Sequence, residues 1–113
     1  MHELSIAQAI IESLEEEQRT RGFHRITRVE IRLGEFSNIV PESLLFCFDA
    51  SKTGTIASDA ELHLTIMPLQ GTCTDCKQPV ELKEDYFLCP HCGSFQVAIL
   101  SGEELDLVSI DVE

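Results

Sequence analysis

Four of the five cysteines stand as two C-x-x-C pairs, Cys73-Thr-Asp-Cys76 and Cys89-Pro-His-Cys92, with twelve residues between them. Two such turns facing each other can close a tetrahedral four-sulfur cage, and a cage with all four positions filled leaves no room for a substrate. The chemistry expected of Cys73, Cys76, Cys89 and Cys92 is therefore structural zinc. The twelve-residue connection is slightly short for a ribbon but fits a hairpin. In that hairpin Val80 and Leu82, then Tyr86 and Leu88, flank an acidic turn at Glu84-Asp85. Gly93 follows the second knuckle and lets backbone amides turn towards the sulfurs. Lys77 takes the equivalent place after the first and is a poorer turn residue. His91, inside the second knuckle, reads as a solvent-facing filler, with exchange for a cysteine ligand as the rival role. Cys47, alone within Leu44-Leu45-Phe46-Cys47-Phe48, reads as a small buried hydrophobe.

A second metal-capable group sits at the chain start, Met1-His2-Glu3. Met1 is expected to stay, because its removal needs a small second residue and His2 is bulky. A free α-amine, with an ordinary pKa of about 8, becomes a nitrogen donor once deprotonated. The backbone nitrogen and imidazole of His2 close successive small chelate rings with it, and the backbone nitrogen of Glu3 can complete a square. A flat, nitrogen-rich set suits nickel(II) or copper(II) and fits tetrahedral zinc poorly. Spacing alone makes this a weak signal, because a histidine at position 2 is commonly incidental.

Other reactive residues carry less. His63 lies on the polar side of a strand pattern, His24 in a helix-to-strand turn, and Glu35 in a Gly-Glu-Phe loop where a turn or interface role is expected. No phosphate loop, G-x-S-x-G or H-E-x-x-H occurs, so no enzyme activity is expected. The net charge is −12 with only eight Lys and Arg, which repels phosphate backbones and argues against nucleic acid despite the finger-like cysteines. The same charge suits attraction of cations and docking on basic protein patches. No apolar run nears the length of a membrane span and no secretory leader is recognisable, so a cytoplasmic protein is expected. In that setting four paired cysteines favour a metal over disulfides.

The elements that must position these residues follow from periodicity. Residues 3–20 form an amphipathic helix with Leu4, Ala7, Ile11 and Leu14 on one stripe, widened by Ile10 and stopped at Gly22. Residues 26–33 alternate, with Val29, Ile31 and Leu33 on one face, and predict a half-buried strand. Pro41 opens a second helix that stops before Gly54. Residues 60–67 give a second strand with Leu62, Leu64 and Ile66 on one face. A last strand spans 104–112, where adjacent Leu107 and Val108 suggest a bulge or two covered faces. The fold class is α+β: a small sheet of about three strands packed by two helices, with an inserted four-cysteine zinc-ribbon-like module. Residues 1–68 and 102–113 would form the α+β domain and 69–101 the zinc-binding domain. The inserted segment is too small to be held by burial alone, and metal coordination supplies the missing stability.

The stretches "MHELSIAQAI", "VEIRLGEFSNIVPESLLFCFD" and the paired cysteines ending in "CPHCG" together resemble the HypA/HybF family of hydrogenase nickel-incorporation proteins. The resemblance covers essentially the whole chain. It implies a metallochaperone that delivers nickel to the large-subunit precursor of [NiFe]-hydrogenase and, in some organisms, serves urease maturation. It also implies a nickel-handling GTPase as partner. The family's nickel site maps onto His2, with Met1 and Glu3 as neighbours whose amine and backbone nitrogens help hold Ni(II). Its structural Zn(II) maps onto Cys73, Cys76, Cys89 and Cys92. Lys77 departs from a family pattern that often has glycine there. Two rival functions remain on the residues alone: a zinc-ribbon adaptor without nickel transfer, and a small redox protein with iron in rubredoxin-like knuckles.

Overall fold

The structure is a computed structural model that describes residues 3–82 and 88–113. Its first element, α1 (Glu3–Arg21), buries Ile6, Ala7, Ile11 and Leu14. Leu4 does not join them and is 47% exposed. Helical side chains lean towards the helix N-terminus, so a leucine at the second position reaches past the helix start instead of over the core. Gly22 closes the helix at φ +74°, and its N–H donates to Gln18 O at 2.8 Å, the left-handed C-terminal arrangement that glycine permits.

The strand β1 (Ile26–Gly34) buries Ile26, Val29, Ile31 and Leu33. The helix α2 (Pro41–Ser51) starts at a proline with no side-chain cap, and Val40 O accepts the Leu44 N–H at 3.0 Å. Leu44 and Phe48, one turn apart, are its buried residues. The strand β2 (Glu61–Met67) and the last strand, β6 (Leu105–Val112), lie on either side of β1 in the order β2-β1-β6. Glu113 N–H donates to Arg25 O at 2.8 Å and Gly34 N–H to Glu104 O at 2.7 Å, so β1 and β6 run antiparallel. Leu105, Leu107 and Val108 are exposed, whereas Ile110 and Val112 pack against the helix-bearing core. The adjacent apolar pair of β6 is thus not a sign of two covered faces.

Between β2 and β6 come β3 (Gln70–Cys73), β4 (Pro79–Glu81) and β5 (Val97–Ser101), in the order β4-β3-β5. Both neighbours of β3 are antiparallel to it. Gly71 sits opposite Ile99, and a Cβ there would meet Ala98 O at 2.4 Å, so glycine allows the two strands to close. The expected far half of the hairpin, including Glu84, Asp85 and Tyr86, lies outside the described residues.

The chain divides into two compact units. The first takes Met1–Ile31, Ile39–Thr65 and Asp106–Glu113. Its core joins Ile6, Ala7, Ile11 and Leu14 of α1 to Ile26, Val29 and Ile31 of β1 and Leu44 and Phe48 of α2. The second takes Arg32–Asn38 and Ile66–Leu105. Its core is Leu69, Cys73, Val80, Leu82 and Cys89, with Phe36, Cys76 and Val97 packed against it.

The Gly34-Glu35-Phe36 loop belongs to this second unit through backbone contact. Glu35 N–H donates to Met67 O at 2.9 Å and Phe36 N–H to Gly102 O at 2.7 Å. The Glu35 carboxylate accepts the Leu69 N–H at 2.6 Å. A Cβ on Gly34 would lie 2.2 Å from Gly102 C, and one on Gly102 (φ +115°) would lie 2.5 Å from Leu69 Cα. Three chain segments meet here at backbone distance, which only glycine allows.

Candidate metal centre

The two knuckles are built alike. Lys77 N–H donates to Cys73 O and Gly93 N–H to Cys89 O, both at 2.9 Å. Each turn passes through the left-handed region, Lys77 at φ +64° and Gly93 at φ +75°. Lysine thus adopts the conformation that glycine adopts without strain. Within the first knuckle Cys76 N–H faces Cys73 Sγ at 3.5 Å. Within the second, His91 N–H faces Cys89 Sγ at 3.4 Å. Backbone N–H groups aimed at sulfur favour the thiolate that a metal needs. The first knuckle is tied to the chain beyond the second: Thr74 N–H donates to Gln96 O at 2.7 Å, and the Ser94 hydroxyl donates to the Asp75 carboxylate.

These turns bring the four sulfurs of Cys73, Cys76, Cys89 and Cys92 within 4.8 Å of one another. Cys73 Sγ lies 3.6 Å from Cys92 Sγ, and Cys76 Sγ lies 3.6 Å from Cys89 Sγ. Sulfurs about 2.3 Å from a tetrahedral zinc are separated by about 3.8 Å, so the set fits that ion.

Their protonation points the same way. The Cys76 N–H, outweighing desolvation, draws the Cys73 thiol down to about 7. At Cys92 the Ser94 N–H also favours the thiolate, but desolvation and the sulfurs of Cys73, Cys89 and Cys76 push it up to about 12. Cys76 receives help from the Gln78 N–H and is nevertheless raised, by desolvation and its Cys73 and Cys89 neighbours. The cluster lowers one thiol and raises two others, which is the behaviour of a site that needs a cation to hold all its sulfurs ionised. Cys73 and Cys89 are buried and Cys92 is exposed, so the cage forms at the margin of its unit. Among the described residues this is the one group of His, Cys, Asp or Glu close enough to share a metal ion.

Of the residues expected at the nickel site, Met1 and His2 lie outside the described residues. Glu3 opens α1, and its carboxylate accepts the Val40 N–H at 3.3 Å. Together with Leu4, Glu42, Ser43, Phe46 and Cys47 it lines an open cleft of about 420 Å³. Cys47 is partly buried and packs against the core. The sequence pattern gave no warning of Phe46, which is 73% exposed on α2 beside this cleft. Its neighbours Leu44 and Phe48 carry the helical spacing, and the intervening apolar residues disguise which of them face out. His63 faces Glu61 at 3.2 Å on a strand surface, and His24 and His91 are exposed. No helix among the described residues is long and apolar enough to cross a membrane.

Residues 1–112 match the family model described as hydrogenase/urease nickel incorporation, metallochaperone, hypA. The chain is 38% identical over 113 residues to hydrogenase maturation factor HypA of Acidithiobacillus ferrooxidans (strain ATCC 53993 / BNL-5-31), covering all of both chains. It is 40% identical to hydrogenase maturation factor HypA of Shewanella sp. (strain MR-7), covering all of this chain and 96% of that one. Its fold is similar to the solution structure of the Ni metallochaperone HypA from Helicobacter pylori, with a TM-score of 0.71 at 28% identity over 99% of this chain and 97% of that one. Two helices, two three-stranded sheets and a four-cysteine site suited to structural zinc accord with that likeness. The chain belongs to the HypA family of nickel-incorporation metallochaperones.

Proposed function

We propose that this chain holds a transferable nickel(II) ion at Met1-His2-Glu3 and passes it on during maturation of [NiFe]-hydrogenase. Zinc bound by Cys73, Cys76, Cys89 and Cys92 fastens the module at 69–101, while the α+β portion at 1–68 and 102–113 carries the nickel. The observation that carries this reading is the match to a nickel-incorporation family from residue 1 to residue 112, which includes Met-His-Glu. The ligands are the Met1 amine, the backbone nitrogen and imidazole of His2, and the backbone nitrogen of Glu3. Glu3 supports the assignment because it is the first residue of α1, where a backbone N–H has no intrahelical acceptor. Giving up that proton to a metal costs the helix no hydrogen bond. The Glu3 carboxylate, held by Val40 N–H, is then an anchor for the chain start.

A delivery site must release as well as bind. A metal held by a few nitrogens of the chain start can be stripped by a deeper site without unfolding the donor. The recipients are a nickel-handling GTPase, the hydrogenase large-subunit precursor and, where urease is made, its maturation proteins. Protons compete for the amine and the imidazole, so nickel affinity falls as pH drops through about 6.5. Calorimetric titration with nickel at neutral pH, on untagged protein and on His2→Ala, tests the assignment. Strong loss of nickel binding with zinc content unchanged is expected. Equal affinity in the two proteins would remove the assignment.

A further inference from the structure

The two edges of the β4-β3-β5 sheet differ. β4 is three residues long and carries Pro79 and Glu81, the short, charged, proline-bearing form that resists pairing with other chains. β5 has five residues, Val97-Ala98-Ile99-Leu100-Ser101, without charge or proline. Among the described residues it pairs with β3 alone. The whole segment 94–101 is uncharged in a chain that is 25% Asp, Glu, Lys and Arg. Its register also turns a large side chain outwards. Ser101 sits opposite Gln70 and Ile99 opposite Gly71, so Leu100 is the extra residue of a β-bulge, a device that re-aims a side chain. Leu100 is 73% exposed, and Phe95, just before the strand, is 76% exposed. Leu100 lines an open groove of about 300 Å³ with Gly71, Pro79 and Val80. Carboxylates stand at both ends of the uncharged stretch: Asp75, bonded to the Ser94 hydroxyl, and exposed Glu103.

We propose that the free edge of β5 receives an extended segment of another protein as an added strand, and that this segment is apolar at its centre and basic at its ends. Backbone pairing along the edge supplies the affinity, and Leu100 and Phe95 supply apolar contact at two separate points beside it. Asp75 and Glu103 select the basic ends. A second copy of this chain is a poor occupant, since each copy carries a net charge of −12 and like charges oppose pairing.

The test uses the zinc-loaded full chain, isotopically labelled, and two synthetic peptides sharing a Thr-Val-Thr-Val-Thr centre. One has two lysines at each end and the other two glutamates. With the lysine peptide, amide shifts are expected along Val97–Ser101. The glutamate peptide is expected to bind about tenfold more weakly at low salt. Leu100→Lys, at an exposed position, is expected to weaken the lysine peptide about tenfold while zinc content stays unchanged. Phe95→Lys serves as the second variant, with the same expectation. Equal binding of both peptides, shifts confined to other residues, or no shifts up to about 1 mM peptide would overturn the proposal. Concentration-dependent dimerisation without peptide, with the same β5 amides shifting, would also overturn it and make a second copy the occupant.

Discussion

Each sulfur of the cage is placed by backbone geometry, and the two knuckles differ in one residue that matters. Gly93 and Lys77 hold the same left-handed turn, but only the lysine has a Cβ that this region crowds, at a cost of about 1–2 kcal/mol. Lys77→Gly removes that strain while adding freedom to the unfolded chain, which offsets part of the gain. The expected result is a net stabilisation of up to about 1 kcal/mol with zinc retained. Denaturant melts of the zinc-loaded variant and parent check it. The sulfurs converge with lysine at this turn. The turn depends on a backbone hydrogen bond to Cys73 O, which lysine can donate as well as glycine.

At the level of elements, α1 and α2 form one side of the first unit's core, and which residues face inwards has measurable consequences. Phe48 and Leu14 are fully buried. Phe48→Ala is expected to cost about 3–5 kcal/mol through lost burial and the cavity left behind. Leu4→Ser, on the stripe that the sequence marks as core, is expected to change stability by less than about 0.5 kcal/mol, because Leu4 is already exposed. Urea denaturation of the two variants compares these magnitudes. A large loss from Leu4→Ser would mean that the first turn of α1 is packed. The strands show the same distinction. β1 is central, and its alternation fixes which residues are buried. β6 lies at the edge of its sheet, and its adjacent apolar residues Leu107 and Val108 are both exposed.

For the molecule as a whole, the two units rest on different sources of stability. Among the described residues the first has twelve buried residues in its core, and the second has five, two of them cysteines. Zinc removal is therefore expected to disorder the second unit while the first keeps its helices. Amide exchange after chelation checks this, with loss of protection in β3–β5 and retention in α1 and α2 as the expected result. Reloading the metal has a definite pH sign. At pH 7 the Cys92 thiol, pushed up to about 12, arrives protonated, and so does Cys76, raised above its ordinary value. Both must lose protons to bind zinc. Loading therefore acidifies unbuffered solution, and zinc affinity rises with pH and weakens as pH falls. A pH-stat reading during zinc addition measures the released protons.

The pairing of the four clustered cysteines, both helices, the strands of the first sheet and the family were legible in the residues, because each rests on short-range rules. C-x-x-C spacing, a 3.6-residue stripe, two-residue alternation and the Pro41 and Gly22 boundaries all act within a few residues of chain. Convergence of the sulfurs could be inferred but not measured, since it depends on how two distant turns approach. Long-range packing decided the rest. The Gly34-Glu35-Phe36 loop reads as an ordinary turn, yet its backbone and carboxylate bind Met67, Leu69 and Gly102, residues more than thirty positions away. Burial depends on what lies opposite a side chain, and no local pattern records that. Hence Leu4 lies on the apolar stripe and is exposed, Phe46 stands in an apolar run and is exposed, and Gly102 carries no local signal yet sits against Leu69 at a distance that admits no side chain.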